Sequence, residues 1–382
     1  MIFNKNLKNI SGIGIGDIIS HGIGGIFWFY LATVVLPIEF GEIHYFISIA
    51  AIASTFSLIG QQPTITVYIS KNKSVLSALF FLSIISSIIS FIVIFLFLGR
   101  FDIGLLAIGY VIFAHGIASN LGYQDYKKYI IYSIIQKGLM VIFSLYLFYV
   151  FGVEWILLGI ALSYFIYSKT FIDGLKKFKI DFSQLKENKK FILTNYSIQM
   201  TNIITSQVDK LLIVPILGFV VLGNYSLAVQ VIAMLNVIPS VVFKYILPRA
   251  SRNIIDVKLR TYTIILSCIS VVLVVTLSPI IIPIFFEKYT EVVLIIQIMS
   301  FSVIPIVINN FYYANFLALE KASAPLIGGI ISGIVMVVGM ISLGSMYGAT
   351  GIAVTVVLTY SVLLVISYIM NKRLSKKEQS SD

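Results

Sequence analysis

Five polar residues in an otherwise apolar stretch, Asn195, Gln199, Asn202, Ser206 and Asp209, recur at steps of four, three, four and three. On a helix those steps return to one face, so two kinds of amide, a hydroxyl and a carboxylate share one stripe. Such a stripe either hydrogen-bonds a hydroxyl-rich ligand in a hydrated cavity or ties neighbouring helices together, at about 0.6 kcal/mol per contact. An ionisable member favours the cavity. Lys210 adjoins Asp209 and extends the polar segment or pairs with a neighbour. Near the N-terminus, Gly14, Asp17, His21, Gly24 or Gly25, and Trp28 follow similar spacing. Asp17 and His21, one turn apart, would exchange protons near neutral pH or form a satisfied buried pair. Lys137, beside Gln136, is a basic residue inside an apolar run, close enough to its end for a lysine to snorkel. His115, Ser119, Gln230, Asn309, Asn310 and Tyr313 are further polar positions for which bonding between helices is the simpler reading.

The elements that carry these residues follow from composition. Charged residues make up only 11% of the chain and mean hydropathy is +1.00, whereas a globular surface needs about 25% charge. Apolar stretches of spanning length run approximately 10–36, 42–66, 75–98, 103–124, 128–151, 153–172, 191–217, 221–247, 260–286, 290–318, 324–346 and 349–371. Backbone groups in lipid must be satisfied internally, so runs of this length form helices. The first continues past the length of a cleavable signal and is expected to be retained. The chain is therefore predicted to be an all-α integral membrane protein of twelve transmembrane helices. Pro239, Pro279, Pro283 and Pro305 are expected to interrupt helices in its second half.

Charge sets the orientation. Of the 27 lysines and arginines, all but Arg100, Lys288, Lys137 and Lys210 fall on one side of this arrangement, which places both termini in the cytoplasm. The +11 net charge thus marks membrane orientation rather than nucleic-acid binding. The central basic loop, GLKKFKIDFSQLKENKK, divides six spans from six. The halves echo one another weakly: a turn at Phe40-Gly41-Glu42-Ile43-His44-Tyr45 matches Leu222-Gly223-Asn224-Tyr225, and Tyr149-Val150-Phe151-Gly152 matches Ser345-Met346-Tyr347-Gly348. Two parallel six-helix lobes, 1–182 and 183–382, around a central cleft are the expected architecture.

The stretch from Val208-Asp209-Lys210 to Gly218, continuing to Leu222-Gly223-Asn224-Tyr225-Ser226-Leu227-Ala228, resembles the signature that opens the second half of polysaccharide flippases. These are the O-antigen (Wzx-type) transporters of the MOP superfamily, and Glu39-Phe40-Gly41 is similar to their turn after helix 1. The resemblance covers the chain in helix count, turn placement and central loop. It implies a non-enzymatic, alternating-access carrier in the bacterial inner membrane, without cofactor. Such a carrier moves an undecaprenyl-pyrophosphate-linked oligosaccharide to the outer leaflet, among membrane lipids and in association with other polysaccharide assembly proteins. Flippases of lipid-linked precursors are expected to carry arginines in their early helices, where this chain has Asp17 and His21. That makes Lys137, the only basic residue within a span of the first half, the candidate for the pyrophosphate.

Two other readings stand beside this one. A multidrug exporter of the same superfamily would use an aromatic, acidic pocket, to which Asp17, Asp209 and Trp28 are suited. A membrane polysaccharide polymerase would need catalytic groups on a long external loop, and the external connections here are a few residues long. With three histidines and the single Cys268, neither a metal-ligand set nor a nucleophile–base pair is legible, so no catalytic residue is expected.

Overall fold

Large apolar side chains cover much of the outer surface, unlike that of a water-soluble bundle, while serines pack inside beside apolar residues. In Leu76–Leu98, Ser83 and Ser87 are buried while Ile88, Ile89, Leu96 and Phe97 are exposed. Ser57 Oγ and Ser90 Oγ meet at 2.8 Å. Apolar surface of this extent is stable only against lipid.

The computed structural model describes residues 2–59, 61–70, 76–176, 182–250, 256–289, 291–319 and 323–379. Its helices are α1 (Ile2–Val34), α2 (Pro37–Ser57), α3 (Gln61–Ser70), α4 (Leu76–Leu98), α5 (Phe101–Gly122), α6 (Tyr126–Phe151), α7 (Ile156–Tyr164) and α8 (Ser168–Lys176), followed by α9 (Ser183–Leu235), α10 (Val237–Ala250), α11 (Val257–Phe285), α12 (Val292–Ser300), α13 (Val303–Ala318) and α14 (Ser323–Gln379). Of the basic residues that set the orientation, Lys71, Lys73, Lys177, Lys179, Arg252 and Lys321 lie outside the described residues.

Among the described residues nine helical stretches are long and apolar enough to cross a membrane, and a tenth is the pair Pro37–Ser57 and Gln62–Ser70, bent by 41°. Two of the nine, of 51 and 50 residues, cross twice because each is broken at a glycine with positive φ, Gly218 (83°) and Gly348 (60°). Only glycine takes such a conformation without strain. Twelve crossings result, as the apolar runs predict. Pro279 and Pro283 lie inside α11, whereas Pro239 and Pro305 stand in the first turn of α10 and α13, just after breaks.

Two expected turns are helical instead. Phe40–Tyr45 belongs to α2 and Leu222–Tyr225 to α9. The corners lie a few residues earlier, at Val35–Leu36 before Pro37 and at Gly218. The residue before a proline disfavours the α region, and proline suits the first helical position. Gly41 and Gly223 serve close approach rather than turning. A Cβ on Gly41 would stand 2.1 Å from the carbonyl oxygen of Phe219, and one on Gly223 would stand 1.9 Å from that of Pro37. The first turns of α2 and of the second half of α9 thus cross with their backbones touching. The other expected echo, Gly152 against Gly348, falls on corners in both halves.

Packing divides the chain into two compact units, one of Met1–Phe27 with Tyr45–Ile203 and one of Trp28–His44 with Ile204–Asp382. They differ from lobes at 1–182 and 183–382 in two segments, 28–44 and 183–203. Both α1 and α9 therefore begin in the first unit and end in the second. The core of the first unit gathers Leu58, Ile65, Leu79, Phe80, Val111 and Phe171.

Candidate functional site

In the first unit α1 and α6 run side by side in the same direction, as contacts at two levels show. Gly16 lies under Ile130, which would be 2.8 Å from an added Cβ. At that level Tyr129 donates its hydroxyl to Asp17 Oδ1 (2.7 Å), and the carboxylate is buried. Two turns further, about 12 Å along α6, the Lys137 side chain lies along Gly24, its Cδ and Nζ 3.8 and 3.9 Å from where a Cβ would be. Among the described residues the ion pairs engage Arg100, Lys210 and Arg249, and Lys137 has no carboxylate within reach.

His21 Nδ1–H donates to the main-chain carbonyl of Asp17 (2.6 Å), and its ring is exposed. Gln136 turns away from Lys137 to donate to Ser163 Oγ (2.9 Å), a contact between helices. The partner of Asp17 that the sequence did not signal is Tyr129, 112 residues away.

The residues of the expected stripe all lie on α9. Asn195 donates to the carbonyl of Phe191 (2.9 Å) and Asn202 to Gln199 Oε1 (3.4 Å), while Asn202 and Ser206 are exposed. Asn195, Gln199 and Asn202 belong to the first unit, and Ser206, Asp209 and Lys210 to the second. Asp209 and Lys210 are buried and engage one another: the ammonium lies 3.3 Å from Asp209 Oδ1 and donates to the Ser206 carbonyl (2.8 Å). Tyr225 donates to Asp209 Oδ2 across the Gly218 corner. This cluster ties the two arms of α9 together, and its charges are already matched.

Of the other polar positions, His115 is buried against Phe80 and Phe171, Asn309 accepts from Ser367 (2.6 Å), and Tyr313 stacks on Phe243. All three serve contacts between helices. An aromatic group in the second unit was not anticipated: Trp28 and Phe40 enclose the ring of His44, and Phe40 meets Tyr289 edge-on. Phe40 and His44 lie one turn apart on α2, but Trp28 and Tyr289 come from other elements, so local spacing does not announce the group.

Neither family profiles nor characterised protein sequences match the chain. Solved structures do. The lipid II flippase MurJ in an inward closed conformation superposes with a TM-score of 0.72 at 16% identity, over 94% of this chain and 87% of that one. An inward-facing multidrug resistance MATE family transporter of the MOP superfamily gives 0.67 at 15% identity, over 95% and 96%. A MATE in complex with MaL6 gives 0.66 at 15% identity, over 97% of each chain. At these identities the likeness is one of architecture, and the chain has the all-helical, two-lobed membrane fold of those transporters.

Proposed function

We propose that the protein is an alternating-access carrier that flips undecaprenyl-pyrophosphate-linked oligosaccharide, an O-antigen-like repeat unit, from the cytoplasmic to the outer leaflet of a bacterial inner membrane. Lys137 carries the reading. A charged side chain within a span costs about 2.5–3.5 kcal/mol, and this one has no ionic partner among the described residues to offset it. A pyrophosphate would supply that partner, and the amides and hydroxyl of the α9 stripe would bond the sugars. The bodies that move are the lobes 1–182 and 183–382.

A multidrug exporter is the second reading, favoured by the MATE structures and by the buried carboxylates Asp17 and Asp209. Both carboxylates, however, are hydrogen-bonded by tyrosines, whereas Lys137 has no ion pair among the described residues. A cation in that state attracts an anionic substrate and repels a cationic drug.

Asp17 is the proposed coupling group. It is a buried carboxylate within a span, the donor to its Oδ1 is the neutral phenol of Tyr129, and His21 bonds its backbone. In reconstituted vesicles, wild-type translocation of lipid-linked oligosaccharide is expected to respond to a pH gradient. Asp17→Asn, which keeps size but cannot ionise, abolishes that response and leaves substrate binding in place. Transport of a cationic drug without any translocation of the sugar lipid would overturn the flippase reading. Wild-type translocation indifferent to pH and sodium gradients would overturn the coupling role.

The proposed sidedness has its own test. Reporter fusions after Ile103 and Val153 are expected to be active outside, and those after Lys127 and Lys186 inside. One inversion among these four is incompatible with cytoplasmic termini and twelve spans.

A further inference from the structure

The basic end of the second unit holds two guanidinium groups that no neighbouring carboxylate fully occupies. Arg260, in the first turn of α11, donates from Nη2 to Asn315 Oδ1 on α13 (3.0 Å) and lies 5.5 Å from the ring centre of Phe311. Its Nε is buried and meets no acceptor among the described residues. Arg249, in the last turn of α10, lies over the ring of Tyr245 on its own helix and donates from Nη1 to that tyrosine's hydroxyl. Its Nη2 stands 4.0 Å from Asp256 Oδ2, and its Nε, too, is buried without an acceptor among the described residues.

Asp256 is the carboxylate that reaches Arg249, and it is largely engaged elsewhere. Its Oδ1 caps α11 by accepting from the Leu259 backbone (3.0 Å), and its main-chain oxygen accepts from the Arg260 backbone (3.2 Å). The Asp256 carboxylate thus serves the Arg249 guanidinium and the α11 cap, and Arg260 follows it one turn into the same helix. Between 244 and 260 the sequence has Lys244, Arg249, Arg252, Lys258 and Arg260 against Asp256 alone. Neutral partners, an amide, a phenol and two rings, fix the planes of the guanidiniums without neutralising them.

Buried charged donors without acceptors are costly, and a planar guanidinium with free N–H groups matches the oxygens of a phosphate two at a time. We propose that Arg260 and Arg249 form a phosphate-receiving site in the second unit, separate from Lys137 in the first. The phosphate group comes from an anionic lipid headgroup or from free phosphate. Acyl chains would have a place to lie, because Tyr262, Ile265, Leu266 and Ile269 of α11 are exposed beyond the site.

Binding to the purified full-length chain tests this without any transport assay, so its outcome is independent of the flippase reading. Native mass spectrometry measures retention of phosphatidylglycerol against phosphatidylcholine, and thermal unfolding measures the effect of inorganic phosphate. Loss of one charge-assisted contact corresponds to about tenfold weaker binding. Arg260→Gln is therefore expected to lose about that factor, Arg249→Gln to lose part of it, and Arg260→Lys to keep part of it. An Arg260-dependent preference for phosphatidylglycerol that inorganic phosphate does not reproduce assigns the site to a lipid headgroup. An Arg260-dependent stabilisation by inorganic phosphate alone assigns it to free phosphate. If folded Arg260→Gln and Arg249→Gln both retain phosphatidylglycerol and respond to phosphate as the wild type does, the proposal fails.

Discussion

Lys137→Ala abolishes surface polysaccharide while the protein remains inserted and abundant. The two halves of that expectation have different causes. An ammonium bound to a pyrophosphate makes charge-assisted hydrogen bonds worth about 1.5–3 kcal/mol each, so removing it lowers translocation at least tenfold. Abundance is spared because the substitution breaks no ion pair among the described residues and removes a cation from a span. Lys137→Arg should keep more transport than Lys137→Gln does, since charge is the claimed property. Normal polymer levels with Lys137→Gln would reduce the lysine to a structural role.

Gly223→Ala destabilises the protein, and Gly22→Ala does not. The same methyl group is added in both cases, so the sign is decided by surroundings. At Gly223 the new carbon would stand 1.9 Å from the Pro37 carbonyl oxygen, a backbone atom that cannot rotate aside, and α2 must shift to admit it. Overpacking of that kind costs about 1–3 kcal/mol. At Gly22 nothing lies within 4 Å, and alanine there gains about 1 kcal/mol of helix propensity over glycine. Thermal unfolding midpoints of the purified variants are expected to fall by several degrees for the first, as for Gly41→Ala, and to hold or rise for the second. A Gly223→Ala protein that unfolds at the wild-type temperature would refute the backbone contact between α2 and α9.

The apolar runs made twelve crossings legible because length and composition alone decide whether a segment can cross lipid. Corners were harder. Gly152 and Gly348 read correctly as corners, since each takes a positive φ at the end of an apolar run. Gly41 and Gly223 read wrongly as turns, because a glycine needed for close approach looks the same in sequence as one needed for a turn. The proline at position 37 was the better signal. Within the site, the placement of the stripe residues on α9 was legible because helical periodicity is a local property. The pairing of Asp17 with Tyr129, and of Asp209 with Tyr225 across the Gly218 corner, depends on which helical segments meet, and periodicity does not record that. Gln136 shows the converse: it adjoins Lys137 in sequence, yet a step of about 100° around the helix sends it to Ser163. The division of α1 and α9 between two units was likewise hidden, since nothing in their composition changes at 27–28 or 203–204.

The backbone contact between Gly41 and Gly223 bears on the order in which the chain is made. At about 5–20 residues per second, the roughly 180 residues between them take on the order of ten to forty seconds to synthesise. Throughout that interval the ribosome has delivered the α1–α2 corner but not the surface that covers it. The bare corner, with Trp28, Phe40 and His44 around it, must be shielded by the insertion machinery or by lipid until α9 arrives. The first six spans made alone would keep that surface open indefinitely, and so should survive in cells only when the other six are supplied alongside them.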